Sequence, residues 1–248
     1  MKTAVYMGTR NIYRDMIPSL KSLVCHTDVE RVYFLIEDDE FPEYLPPFVE
    51  VINVSGQKYF KEDGPNYKNP WTWMPMMKAA LTKVLPDDET LILDYDVFFL
   101  KDIGSELWDI DLSGYYFAGC MEWKKEGFQQ PYINLGVVLL NLKKIREDGM
   151  DDRFIHSLNT EYTFTNEQDV MNRMCNGHIK VIPSTYNMND YVEPCEDPKV
   201  IHFAGIGENF PWSGKRWQDF PVVEKYRSMS WDEVRNESGG LRWDEKSV

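Results

Sequence analysis

No stretch of this chain approaches the apolar length needed to cross a bilayer. The opening Met1-Lys2-Thr3-Ala4-Val5-Tyr6-Met7 turns polar at Thr9-Arg10-Asn11, too soon for the apolar core of a signal peptide. Cysteine is scarce. Cys25, Cys120, Cys175 and Cys195 are scattered, with no Cys-x-x-Cys pair and no dense disulfide framework, which favours a reducing compartment. Positive charge is also in short supply: 27 Lys and Arg against 41 Asp and Glu give a formal net charge of −14 and a pI near 4.8. That balance excludes nucleic acid and anionic membrane surfaces as partners, since both reward clustered cations. The expectation is a cytoplasmic protein without stable membrane association. No internal repeat is present. At 248 residues and 43% hydrophobic content, one large domain or a domain with an appendage is expected, with ample material for a core.

What is present is an alternation of short apolar runs and helical periodicities. Ala4 to Met7 reads as a strand, Gly8 to Asn11 as a turn, Ile12 to Leu23 as a helix and Val32 to Ile36 as a second strand. That order is the βαβ signature of a parallel sheet, so the fold class is α/β. Val49 to Val54 supplies a third strand. A Gly-, Pro- and Asn-rich loop over 55–70 follows, long enough to be functional and expected to act as a lid. Trp73 to Leu85 is helical and leads into Leu91-Ile92-Leu93. Phe117 to Met121, Asn134 to Leu142, Ile179 to Ile182 and Lys199 to Phe203 are further strands, with helices after Lys143 and from Asn166. Glu122 to Pro131 is a polar loop carrying Trp123 and Phe128, and beyond Gly205 the chain reads as a Trp- and charge-rich tail.

The chemistry concentrates where Leu91-Ile92-Leu93 runs into Asp94-Tyr95-Asp96. Acidic residues at the carboxyl end of a buried strand lie where open α/β sheets bind ligands. Alternate residues of an extended segment share a side, so Asp94 and Asp96 are expected to reach one cation. Asp109-Ile110-Asp111 repeats the spacing in a polar turn setting and serves as an internal control that reads as solvated surface. His202, in the apolar context Val200-Ile201-His202-Phe203, completes a mixed oxygen and nitrogen set with open positions, better suited to manganese than to calcium.

Four ordered motifs then carry a resemblance: Leu93-Asp94-Tyr95-Asp96-Val97; Tyr132-Ile133-Asn134-Leu135-Gly136-Val137 with Asn141-Leu142-Lys143-Lys144; Glu167-Gln168-Asp169-Val170-Met171-Asn172; and Ile201-His202-Phe203-Ala204-Gly205. From Thr3 to Trp212 the chain resembles glycosyltransferase family 8, which includes glycogenin and bacterial lipopolysaccharide galactosyltransferases. The resemblance implies a GT-A, Rossmann-like single domain with a mixed, mostly parallel sheet over residues 1–212 and a tail, 213–248, packed on it. It also implies a retaining transfer of a hexose from a UDP-sugar, with Mn2+ or Mg2+ held by Asp94, Asp96 and His202. Lys78 matches a basic residue that contacts the donor and orders nearby acids. Asn134 and Gly136 match positions lining the sugar pocket, and Gln168 matches the residue beneath the anomeric carbon. Glu167 stands where the family has Asp. Met7, Gly8, Thr9, Asn11, Tyr13, Tyr95 and Gly205 fall in the nucleotide-binding stretches, with Tyr13 placed to stack on uracil. Glu208 replaces a lysine that contacts the diphosphate, leaving Lys215 or Arg216 to take that role.

An amide is a poor nucleophile, so same-face attack is the expected route: the departing phosphate oxygen takes the acceptor's proton, the metal and a nearby cation stabilise the diphosphate, and Gln168 supports the oxocarbenium-like centre. The acceptor is a saccharide or a protein. Two other readings compete. Gly8-Thr9-Arg10 resembles the phosphate loop of sugar-1-phosphate nucleotidyltransferases, although its later glycines are missing. The 8 Trp and 14 Tyr would also serve a non-catalytic carbohydrate-binding relative.

Overall fold

The computed structural model describes residues 1–68, 72–122, 131–204, 216–238 and 243. Nine strands are described: β1 (Thr3–Met7), β2 (Arg31–Ile36), β3 (Val49–Asn53), β4 (Glu89–Leu93), β5 (Val97–Phe99), β6 (Phe117–Met121), β7 (Ile133–Asn141), β8 (Ile179–Ile182) and β9 (Val200–His202). Seven form one sheet in the order β3-β2-β1-β4-β7-β6-β8. β7 runs antiparallel to both neighbours and all other pairings are parallel, giving the mixed, mostly parallel sheet expected. β1, β2, β4 and β7 are buried along almost their whole length, which explains why they read as continuous apolar runs.

Helices cover both faces. On one, α1 (Tyr13–His26) buries Met16, Ile17, Leu20, Leu23 and Val24, a single stripe at helical spacing. Two further helices, α5 (Pro221–Ser228) and α6 (Trp231–Glu237), lie in the segment that reads from sequence only as a tail. They pack on α1 through Val223, Tyr226, Met229 and Val234, and the Tyr226 hydroxyl meets His26 Nε2 at 2.7 Å. The opposite face carries the 3-10 segment Met74–Lys83 with α2 (Leu142–Glu147), α3 (Met150–Thr160) and α4 (Glu167–Met174). The helix expected after Lys143 is divided between α2 and α3 at Gly149, whose φ of 62° ends one helix and begins the next.

The sheet order reverses between β1 and β4: β1, β2 and β3 progress outward on one side, and the chain then crosses to β4 on the other. The carboxyl ends of β1, β2 and β4 share an edge there, the position at which α/β sheets form a ligand crevice. β5 and β9 make a separate two-stranded antiparallel sheet, with Val97 opposite His202. The sequence reading treats β9 as one more strand and does not distinguish β5 from the acidic segment. The small sheet arises because a turn, with Val97 N–H donating to the Asp94 carbonyl at 3.2 Å, redirects the chain out of the main sheet.

The loop after β3 differs from the expected lid in being pinned. Asn66 is fully buried, and its Nδ2 donates to the Leu158 and Glu161 carbonyls at 2.8 and 2.7 Å while its Oδ1 accepts from Thr163 N–H at 3.0 Å. Asn159 ties the same loop at Lys61 N–H and the Tyr59 carbonyl. Asn66→Ala should therefore cost about 1–3 kcal/mol, since it strands buried carbonyls and an N–H. The check is a lowered urea midpoint with an unchanged slope.

Candidate active site

A cavity of about 1420 Å³ opens at the crevice. That exceeds the usual size of a site for one small ligand and leaves space for two substrates. Met7, Gly8, Thr9 and Asn11 line it from the end of β1, Glu37 from β2, and Asp94, Tyr95 and Asp96 from β4. Asn134, Glu167, Gln168 and His202 close the inner side.

Asp94, Asp96 and His202 converge. Each offers one donor atom, all within 4.8 Å of one another, with His202 Nε2 lying 3.3 Å from Asp96 Oδ1 and 3.6 Å from Asp94 Oδ2. The acids do not meet through strand alternation, as the sequence reading assumed. They sit on the turn that leaves β4, and the turn brings both carboxylates to one side. Two backbone bonds fix the arrangement: Asp94 N–H donates to the Gly136 carbonyl at 2.9 Å, and Phe203 N–H to the Asp96 carbonyl at 3.1 Å. Two carboxylate oxygens and one imidazole nitrogen, open towards the cavity, suit a divalent cation with vacant positions for ligand oxygens. The control triplet behaves differently. Asp109 accepts from Ser105 Oγ and Asp111 from Ser113 N–H on a surface turn.

Lys78 lies inside the protein. Its ammonium is 2.7 Å from Asp94 Oδ1 and 3.5 Å from Glu167 Oε1, and it donates to the Leu135 carbonyl at 3.2 Å. Burial alone would lower its pKa, but Asp94 and Glu167 outweigh that and hold it above the ordinary lysine value. Glu167 receives the weaker share of this cation. Burial raises its carboxyl above the usual range, and its Oε2 has no hydrogen-bond partner. Its position is set by Asn166, the one non-glycine residue with positive φ among the described residues, at 44°.

Gln168 is held on three sides: Oε1 accepts from Leu135 N–H at 2.9 Å, and Nε2 donates to Glu122 Oε1 at 3.0 Å and the Tyr132 hydroxyl at 3.2 Å. Asn134 Nδ2 also donates to Glu122 Oε1, at 2.9 Å. Sequence reasoning missed Glu122, which it treated as the first residue of a polar loop, together with Asn187, Asp190 and Tyr191. No local pattern marks them, because their relevance comes from the packing of β6 and the segment after β8 against β7.

Two placements differ from expectation. Gly136 does not line the cavity. It lies against the His202 ring, where a Cβ would fall 2.0 Å from Cε1. Tyr13 is buried, its ring 5.2 Å from Phe41 and its hydroxyl donating to Asp38 at 3.0 Å, so it borders a separate depression and not the cavity. Its helical position directs it beneath β2. Gly205 and Lys215, with Trp123, Phe128 and Glu208, fall outside the described residues.

With this geometry in place, comparison with known proteins is decisive about family. The model of Glycosyl transferase family 8 matches residues 5–216. The chain belongs to that family. A "Putative glycosyltransferase" of Haemophilus influenzae is 30% identical over 124 residues, covering 44% of this chain and 37% of that protein. A lipopolysaccharide 1,2-glucosyltransferase of Escherichia coli is 25% identical over 122 residues, covering 42% and 35% respectively. The aligned segments thus span little more than a third of these curated relatives. Among solved structures, the glycosyltransferase GlyE of Streptococcus pneumoniae superposes with a TM-score of 0.73 at 20% identity, covering 100% of this chain and 66% of that one. The galactosyltransferase LgtC, solved with donor and acceptor sugar analogues, gives 0.68 at 18% identity over 95% and 99%. The fold is GT-A, as the resemblance implied.

The tight approach at Gly136 yields a structural test. Gly136→Ala should lose about 1–3 kcal/mol through overpacking. Combining it with His202→Ala should recover most of that loss in urea unfolding, because the colliding ring is then gone.

Proposed function

We propose that this glycosyltransferase is a retaining, metal-dependent hexosyltransferase using a UDP-sugar donor. The observation that carries the reading is the convergence of Asp94, Asp96 and His202 in the wall of the switch-point cavity. Mn2+ or Mg2+ fits this donor set, and when bound it would neutralise a diphosphate leaving group. The chain's own residues do the remainder. Lys78 holds Asp94 in place and supplies a fixed positive charge beside it. Glu167, with one oxygen unpartnered, accepts hydroxyls of the donor sugar. Gln168, immobilised by Leu135, Glu122 and Tyr132, presents an amide too weakly nucleophilic to form a covalent adduct, which favours same-face attack with the departing oxygen taking the acceptor's proton. Met7, Gly8, Thr9, Asn11 and Tyr95 frame the nucleotide end, with Lys215 the candidate for the diphosphate charge that Glu208 cannot provide. Residues 1–212 form the catalytic unit in this reading, and 213–248 an appendage.

The nucleotidyltransferase alternative loses its phosphate contact. Arg10 is turned to Asp38, with Nη2 at 2.7 Å and Nε at 2.9 Å, and does not line the main cavity.

Asp94→Asn and Asp96→Asn should each lower transfer by about 10²-fold or more, the scale of losing one preorganised charge stabiliser. Chelation should do the same to the wild type, with Mn2+ restoring activity. Screening UDP-glucose, UDP-galactose and their N-acetyl forms, with product anomers read by proton NMR, tests the rest. An inverted product, or turnover indifferent to chelation, would remove the corresponding part of the reading.

A further inference from the structure

Behind the three candidate metal ligands runs a chain of amides whose orientations are fixed by backbone groups at both ends. At one end, Gly136 N–H donates to Asn134 Oδ1 at 3.1 Å, so the oxygen of that amide faces inward. Asn187 must then present its NH2 to Asn134 Oδ1, and it does so at 3.0 Å. At the other end, Tyr191 N–H donates to Asn189 Oδ1 at 2.8 Å, turning Asn189 Nδ2 towards Asn187, where it reaches Oδ1 at 3.2 Å and the carbonyl oxygen at 2.9 Å. The Asn187 amide is therefore set twice over, and its oxygen is the atom 3.1 Å from His202 Nδ1. An amide oxygen only accepts, so Nδ1 carries the hydrogen. Asn134, Asn187, Asn189 and His202 are all buried, which leaves no water to offer an alternative partner at low cost.

We infer that Asn187 is a positioning residue that holds His202 in the Nδ1–H tautomer, so that the Nε2 lone pair, the nitrogen facing Asp94 and Asp96, is committed to a divalent cation. The inference rests on the metal reading given above and adds what selects the ligating nitrogen. Orientation and tautomer are set separately: the close approach of Gly136 fixes the plane of the ring, and the Asn134–Asn187–Asn189 chain fixes its hydrogen. Residues that orient a metal-ligating histidine commonly account for 10- to 100-fold in metal affinity. Glu122 belongs to the same construction, because its carboxylate receives the NH2 groups of both Asn134 and Gln168 and thereby fixes the two amides that face the cavity.

The test measures Mn2+ affinity directly, from the electron paramagnetic resonance signal of free Mn2+ titrated into the 248-residue chain with UDP present. Asn187→Leu removes the acceptor while filling similar space, and it should weaken Mn2+ binding by about 10- to 100-fold. Asn187→Asp retains an oxygen for Nδ1–H but loses the donation to Asn134 Oδ1, so it should bind Mn2+ more weakly than wild type yet clearly more tightly than Asn187→Leu. A purely structural role for Asn187 predicts that both variants suffer alike. Wild-type-like affinity in Asn187→Leu overturns the inference and leaves the metal reading standing. Failure of the wild type itself to bind Mn2+ overturns both. Should Asn187→Leu not fold, as judged by circular dichroism, the wild type decides alone. With histidine labelled with nitrogen-15 and only four histidines in the chain, the ring of His202 is assignable in the Mg2+-loaded protein. A protonated Nδ1 and an unprotonated Nε2 are expected, and the opposite tautomer overturns the inference.

Discussion

The site depends on the containment of negative charge at the wall of a cavity, where Lys78, Glu167 and His202 are buried and Asp94 and Asp96 only partly so. Asp94, Asp96 and Glu167 approach one another at the head of β4, and like charges so arranged repel unless cations are interleaved among them. Lys78 is interleaved between Asp94 and Glu167, and the neutral His202 imidazole leaves the gap facing Asp94 and Asp96 to the divalent cation proposed above. Lys78, the Asp94–Asp96 turn, Glu167 and His202 come from four different parts of the chain. The switch in strand order, the small β5–β9 sheet and the strained backbone at Asn166 all serve to bring these charges to one edge of the cavity.

Much of this was legible in the sequence because it is written in local patterns. Doubly buried strands leave apolar runs that need no partner to be recognised, and the amphipathic stripe of α1 is periodic. Asp94 and Asp96 announce themselves by following a buried strand, which is also why Asp109 and Asp111, lacking that context, could be set aside. Glu122, Asn187 and Asn189 left no such trace. An asparagine or glutamate in a loop looks like ordinary solvated surface, and its burial is decided by which distant strand it packs against. The two C-terminal helices escaped for a related reason: they are short, and their apolar residues become a face only once α1 is present to receive them.

Where local reading misled, geometry explains it. Asp94 and Asp96 share a side because of a turn and not because of strand alternation. Gly136 invites the reading of close approach to a sugar, and close approach is indeed its property, but what approaches is the imidazole of His202. Glycine in an apolar strand reports that something large comes near the backbone without saying what. The loop after β3 shows the converse, since a composition typical of mobile segments is here tied down by the buried Asn66 and the half-buried Asn159.

The pairing of Val97 with His202 also bears on how the molecule assembles. Side chains alternate along a strand, so a slip of one residue would put Ile201 or Phe203 where the imidazole belongs. The contact joins distant parts of the chain, and contacts of high sequence separation are costly to close. Partly folded chains in which β9 has not docked therefore have no complete ligand trio. A cation held by that trio would recognise only the finished protein, and it would act as a clasp that retards unfolding while leaving the rate of folding nearly untouched.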